Sequence, residues 1–259
     1  MCRHAAYLGP AISLQQFLLD PPHSLYKQSW NAQELVYARL NADGYGFGWF
    51  NGQGEPATYT SAMPIWSDSN LPSLAGSLKY PLWVGEVRSA TIGSPVHPYN
   101  TQPFRDARWL FVHNGYIRKF HEQVRPSITA RLLPQIAADI RGNTDSEYLF
   151  ALLRQIMLDS PDASVPDAMH ELFAIVGELA GSEESLLNLI LTDGTTLYAN
   201  RHGINHQPPS LYYTDSDPLF PGGQLVASEA FNPEAGWQRV PEQHVVILQS
   251  DTAPVLQAL

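Results

Sequence analysis

Two capped amphipathic segments lie near the middle of the chain, with short apolar, strand-like segments on both sides. This order is the strongest constraint on the fold. Thr144-Asp145-Ser146-Glu147 has the form of a capping box, with Thr144 as N-cap and Glu147 three residues on. Leu149, Leu152, Leu153 and Ile156 then recur at helical spacing. Ser164-Val165-Pro166-Asp167 opens a second helix carrying Leu172, Ile175, Val176 and Leu179 on one face. Before these helices, 3–8, 45–50, 82–88 and 109–113 read as strands, apolar and bounded by Gly, Pro and Asn. A helical spacing near 14–19 stops at Pro21-Pro22. After the helices, 186–192, 196–201, 211–213, 224–228 and 244–248 read as strands again, with Asp193-Gly194 as a hairpin turn between the first two. Strands, helices and strands in that order predict an α+β layered fold with antiparallel sheets, here expected as one domain over 1–259.

Composition narrows the function. Of 259 residues, 44% are hydrophobic, so a full core needs no disulfide or metal. The single cysteine, Cys2, forms no internal disulfide and no multi-cysteine zinc site. The nine histidines include no HExxH pair, and no metal or cofactor is expected. A net charge of −10 argues against nucleic acid as a partner. The absence of an 18-residue apolar run argues against a membrane, and a cytoplasmic location is expected.

Five places could carry chemistry. Removal of Met1 would put a thiol and an α-amine on Cys2, a nucleophile beside its own base, although a chain terminus is more often frayed. Arg88 stands where a strand gives way to the loop Ser89-Ala90-Thr91-Ile92-Gly93, and its planar fork suits a carboxylate; a surface ion pair is the plainer reading. Asn114-Gly115 reads as a hairpin turn that would also present an amide and an N–H to one point, as an oxyanion hole requires. Asp145 suits the first helical turn, or a substrate ammonium group. The glycines of Asn41-Ala42-Asp43-Gly44-Tyr45-Gly46-Phe47-Gly48 precede no helix, so close backbone packing fits them better than a phosphate loop.

Taken in order, an N-terminal Cys, a Gly-rich turn, V-R-S-A-T-x-G, H-N-G and T-D-S-E resemble the class II glutamine amidotransferases, which are N-terminal-nucleophile hydrolases. Met1-Cys2-Arg3-His4, Leu19-Asp20-Pro21-Pro22, Gln28-Ser29 and Ala227-Ser228-Glu229 resemble the stand-alone branch, which includes the γ-glutamyl amidohydrolase of ergothioneine biosynthesis. The resemblance implies a four-layer αββα sandwich and cleavage of a γ-glutamyl amide, such as that of γ-glutamyl hercynylcysteine sulfoxide, with release of glutamate. It implies Cys2 as nucleophile, its α-amine as base and later proton donor to the leaving nitrogen, and Asn114 with the Gly115 N–H as oxyanion holders. Arg88, with Ser89 and Thr91 beside it, would take the substrate α-carboxylate, and Asp145 the α-ammonium. The family often has His two positions before the arginine; this chain has Glu86 on the face that Arg88 shares. Alternatives stay open: a glutaminase or amidotransferase subunit with a separate partner, a glutathione-type γ-glutamyl peptide hydrolase, a metal-dependent hydrolase, or a non-catalytic γ-glutamyl binding protein. Trp30, Tyr45 and Tyr99 are candidate walls for the leaving group, with core packing the commoner role of such residues.

Overall fold

Alternation along the first strand sets the layering. In β1 (Arg3–Ser13), Ala6 and Leu8 point to one face and Ala5 and Tyr7 to the other, and all four are buried. A strand buried on both faces must lie inside a sheet that is covered twice. The computed structural model, which describes residues 2–35, 40–91 and 95–259, places it so. β1 lies between β4 (Lys79–Val87) and β11 (Gln224–Ala227) in a seven-stranded antiparallel sheet. β2 (Tyr45–Phe50) and β3 (Pro56–Ser61) extend it beyond β4, and β10 (Tyr212–Thr214) and β12 (Gln238–Arg239) beyond β11.

A second seven-stranded sheet runs β14 (Val255–Ala258), β13 (His244–Gln249), β8 (Thr196–Arg201), β7 (Ser185–Thr192), β6 (Leu110–Ile117) and β5 (Phe104–Arg105), with β9 (Gly203–Ile204) also paired to β7. The strands after the central helices therefore complete both sheets, as the strand–helix–strand order predicts.

Three apolar clusters define four layers. Ala6, Leu8, Leu82, Val84, Leu110, Val112, Ile190 and Val246 meet between the sheets. On the outer face of the first sheet, Tyr7, Phe47, Trp83 and Val87 pack on α1 (Leu14–Leu18), α2 (Leu25–Asn31) and α3 (Leu71–Ser77). On the outer face of the second, Phe111, Leu187, Leu189 and Leu191 pack on α4 (Arg125–Arg131), α6 (Asp145–Asp159) and α7 (Val165–Ala180), with α5 (Pro134–Ala138) beside α6. The architecture is the αββα sandwich.

Two local expectations need correction. Asn114-Gly115 is no hairpin turn: both residues lie inside β6, opposite Asn188 and Leu187. The long antiparallel pairing of β6 with β7 overrides the local turn preference of the dipeptide. The capping box at α6 is half formed. Thr144 Oγ1 accepts the Glu147 N–H at 3.2 Å, but the Glu147 carboxylate takes the N–H groups of Arg141 and Gly142, both at 2.8 Å, from the incoming loop. At α7 the Ser164–Asp167 box is complete. No helix of the described residues is long and apolar enough to cross a membrane.

Candidate active site

The faces that bury Leu8, Val84, Val112 and Val226 carry polar residues further along the same strands. Every second position stays on one face, so Cys2 and His4 follow Ala6, Glu86 follows Val84, Asn114 follows Val112, and Ser228 follows Val226. His4 lies opposite Glu86, and continuing that register puts Cys2 opposite Arg88. Residues far apart in sequence thus meet at one end of the space between the sheets.

Cys2 Sγ donates weakly to the Ser89 carbonyl at 3.7 Å and lies against the Glu86 carboxylate. Burial, then the nearby Glu86 charge, push the thiol well above the ordinary cysteine range. The resting residue is therefore a thiol, and attack requires a base. Met1 lies outside the described residues, and with it the expectation that its removal frees an α-amine.

The edge of β6 carries one N–H left open between two capped ones. The Leu187 N–H donates to the His202 carbonyl at 2.9 Å, away from β6. By antiparallel alternation its partner Gly115 turns its own N–H away from β7, to the open edge of β6. Two residues to either side, the same edge is capped: the His113 N–H donates to Gln102 Oε1 at 2.6 Å, and the Ile117 N–H to Asp145 Oδ2 at 2.8 Å. β5 pairs only with Leu110 and Phe111 and leaves Gly115 uncovered. Asn114 stands beside it, fully buried, its Nδ2 at 3.4 Å from Ser228 Oγ and its Oδ1 without a partner. Two donors stand side by side here, on a strand edge rather than in a turn.

Only glycine fits at 115. A Cβ there would sit 1.7 Å from the Leu186 carbonyl oxygen and 2.6 Å from His113 Nε2. Gly46 answers to a similar constraint, since a Cβ would meet the Gln102 carbonyl oxygen at 2.1 Å. This is the close backbone approach expected of that glycine-rich segment.

Arg88 is buried, and its Nη1 and Nη2 donate to the carbonyls of Asp43 (3.2 Å) and Pro95 (3.5 Å). It pairs with no carboxylate among the described ion pairs; Glu86 binds Gln102 instead. Asp43 also steadies the loop after Arg88 by accepting the Ala90 N–H at 2.8 Å. Asp145 is already engaged: besides Ile117, it accepts the Ser146 N–H at 2.7 Å and the Ser146 hydroxyl at 3.2 Å. Thr91 is exposed and is tied to the others by no described contact, while Ile92 and Gly93 of the same motif lie outside the described residues.

Three site residues went unremarked as such in the sequence. Gln102 clamps β6 to β4: its amide oxygen accepts the His113 N–H, and its Nε2 donates to both the His113 carbonyl and Glu86 Oε1, each at 2.8 Å. Nothing in its flanking sequence signals this. His4 is buried with both ring nitrogens unpartnered, and burial with the neighbouring Arg3 charge holds its pKa down at about 3. Ser228 Oγ accepts the His4 N–H at 3.0 Å, and Ala227-Ser228-Glu229 was the only hint of it. Of the suggested leaving-group walls, Tyr45 is core, its hydroxyl bonded to Asp68; Trp30 and Tyr99 are exposed. A cavity of about 570 Å³ is lined by Tyr99, Arg105, Arg141 and Glu147, but by none of Cys2, Arg88 or Asn114. Among the described residues no group of three or more His, Cys, Asp or Glu is placed to hold a metal.

Comparison with known proteins places the chain in a family. The family model described as glutamine amidotransferases class-II matches residues 28–218. Over 95% of its length the chain is 32% identical to the gamma-glutamyl-hercynylcysteine sulfoxide hydrolase of Mycolicibacterium smegmatis, covering 95% of that protein. It is 31% identical to the same-named hydrolase of Mycobacterium tuberculosis, over 95% of this chain and 92% of the other. A glutamine aminotransferase class-II domain protein from Silicibacter pomeroyi superposes with a TM-score of 0.71 at 26% identity, covering 99% of both chains. The glutamine PRPP amidotransferase of B. subtilis shares the fold, with a TM-score of 0.63 at 14% identity over 99% of this chain and 49% of that one. The chain belongs to the class II glutamine amidotransferases.

Proposed function

We propose that the protein hydrolyses a γ-glutamyl amide and releases glutamate, with γ-glutamyl hercynylcysteine sulfoxide as its substrate in ergothioneine biosynthesis. The observation that carries this reading is the meeting of Cys2, Arg88, Asn114 and the open N–H of Gly115 at one end of the inter-sheet layer. The substrate is inferred from the mycobacterial hydrolases, which the chain matches over nearly its whole length.

Cys2 Sγ attacks the γ-carbonyl, its proton passing to the α-amine that removal of Met1 would free. The oxyanion forms against the Gly115 N–H and Asn114 Nδ2. The Arg88 guanidinium, anchored by the Asp43 carbonyl, takes the α-carboxylate, with Ser89 and Thr91 on the adjoining loop. Asp145 takes the α-ammonium with the carboxylate capacity left over from Ile117 and Ser146. The C–N bond breaks, the amine leaves protonated, and water cleaves the remaining γ-glutamyl thioester to glutamate and the Cys2 thiol.

Glutamate release from glutamine, glutathione and γ-glutamyl hercynylcysteine sulfoxide, with intact-mass analysis of the amino terminus, tests the reading. Turnover of the sulfoxide far above the other two is expected, from protein lacking Met1, and Cys2→Ala should lower it by on the order of 10⁴-fold or more. Comparable rates on plain glutamine would overturn the substrate; full activity in Cys2→Ala would overturn the mechanism.

A further inference from the structure

The mechanism above leaves one buried group beside the nucleophile without a task. Glu86 is fully buried in the inter-sheet layer. Its Oε1 is fixed by Gln102 Nε2 at 2.8 Å, and Gln102 is itself held at both ends by the His113 backbone. Its Oε2 has no hydrogen-bond partner, although buried side-chain oxygens are as a rule paired. The Arg88 guanidinium two residues on, which could have neutralised it, is turned to the Asp43 and Pro95 carbonyls. The Cys2 thiol lies against the carboxyl group. This clamped carboxyl, beside the reacting thiol and with one oxygen unpartnered, is more than a structural ion pair requires.

We propose that Glu86 is a catalytic acid–base residue that protonates the nitrogen leaving from the γ-carbon and then deprotonates the water that cleaves the thioester. The inference rests on the γ-glutamyl amide reading and moves donation to the leaving nitrogen from the α-ammonium, where the family resemblance puts it, to Glu86. In acylation the α-amine takes the Sγ proton and becomes ammonium. The S–C bond forms, and the tetrahedral intermediate collapses as the Glu86 carboxyl gives its proton to nitrogen and the C–N bond breaks. In deacylation the Glu86 carboxylate takes a proton from water, and the resulting hydroxide forms a C–O bond. The C–S bond then breaks, and the thiolate recovers its proton from the ammonium. Enzyme and protons return to their starting state, and the sum is amide plus water giving glutamate plus amine.

Geometry and charge both suit this role. The leaving nitrogen and Sγ are substituents of one tetrahedral carbon, so an acid in contact with Sγ is within hydrogen-bond reach of the nitrogen. Cys2 just before β1, His4 in β1 and Arg88 just after β4 are the titratable or charged groups beside the carboxyl, while the His113 ring of β6 turns away to Ser146 and the Leu186 carbonyl. Burial pushes Glu86 above the usual carboxylate range, despite the nearby Cys2 thiol, the Gln102 bond and the Arg88 charge, which favour ionisation. A buried carboxyl whose pKa is raised holds its proton to higher pH than an exposed one, and while protonated it is an O–H donor.

Leaving groups distinguish an acid catalyst from a packing residue. The test compares kcat/KM on a γ-glutamyl alkylamide, whose nitrogen must be protonated to leave, with that on a γ-glutamyl 4-nitrophenyl ester, whose phenolate leaves unaided. Glu86→Gln, which keeps shape and can still accept from Gln102, should lower the amide-to-ester ratio by about 10²–10⁴-fold. It should also abolish the alkaline limb of the amide pH profile, where the acid loses its proton. Equal losses on both substrates, no loss on the amide, or an unmoved limb would overturn the proposal. Should the variant fail to fold, γ-glutamyl anilides of graded basicity on the wild-type enzyme decide: a shallow dependence of rate on amine basicity supports an acid, and a steep one refutes it. A wild-type enzyme inactive on every γ-glutamyl substrate would instead overturn the proposed function.

Discussion

At one end of the space between the sheets, Leu8, Leu82, Val84, Leu110, Val112 and Ile190 interlock as a dry apolar layer. At the other, the same strands present Cys2, His4, Glu86, Asn114 and Ser228 from the same faces. The backbone pairing continues from one end to the other; only the side chains change. At the apolar end, stability comes from close packing of side chains. At the polar end, His4 Nδ1 and Nε2, Glu86 Oε2 and Asn114 Oδ1 are buried without partners. Unpaired buried polar atoms cost stability, and they mark where the site gives up stability to hold chemistry in a dry, rigid place.

Breaking the fold at the junction of the two ends should give the largest effect. Gly115→Ala forces a Cβ onto the Leu186 carbonyl oxygen, a clash that strand pairing cannot relieve. We expect a loss above ~3 kcal/mol, seen as a collapse of the thermal transition. A variant with unchanged Tm would show that β6 shifts freely at this point.

A matched pair of truncations sharpens the contrast. Ile190→Ala, in the apolar layer, should cost about 2–5 kcal/mol of stability while folded protein keeps its kcat. Asn114→Ala should do the reverse. It removes an unpaired Oδ1 and one long contact to Ser228, so stability changes by about 1 kcal/mol. Turnover should fall by about 10²–10³-fold through loss of an oxyanion donor. Urea titration and steady-state kinetics on both variants check the pair, and similar outcomes would abolish the distinction between the two ends.

The smallest expected effect is a pH response. His4 is held neutral in the folded state, with its pKa lowered to about 3 by burial and by the Arg3 charge. In the unfolded chain it titrates near ~6.5. Between those values the unfolded state binds the extra proton, so the stability contributed by the neutral imidazole is complete above ~6.5 and is lost as pH falls toward 3. From pH 7 to pH 5 this group alone should cost about 2 kcal/mol. His4→Gln should flatten the loss, and an identical slope in that variant would sink the assignment.

Local signals in the sequence carried far. Thr144 and Ser164 announce the two central helices because an N-cap is satisfied within its own turn. β2 and β8 are legible to the residue, and the Asp193-Gly194 turn with them, because alternation and hairpin geometry are short-range. Asn114-Gly115 marks where this stops. The same dipeptide grammar predicts a turn, yet β7 on one side, with Gln102 and Asp145 capping the other, holds it straight.

The ordered motifs by themselves carried the resemblance to the family, and that resemblance implied the αββα architecture and the nucleophile, while element order alone predicted only an α+β layered fold. What only the tertiary structure decided is which groups share the dry end of the inter-sheet layer. Gln102, His4 and Ser228 join Cys2 through register and sheet-on-sheet packing, contacts between segments up to 224 residues apart that no local pattern encodes. Glu86 shows the difference most clearly. In the sequence it is one acid two positions from an arginine; in the fold it is a buried carboxyl clamped against the thiol, because β4 and Gln102 leave it nowhere else to point.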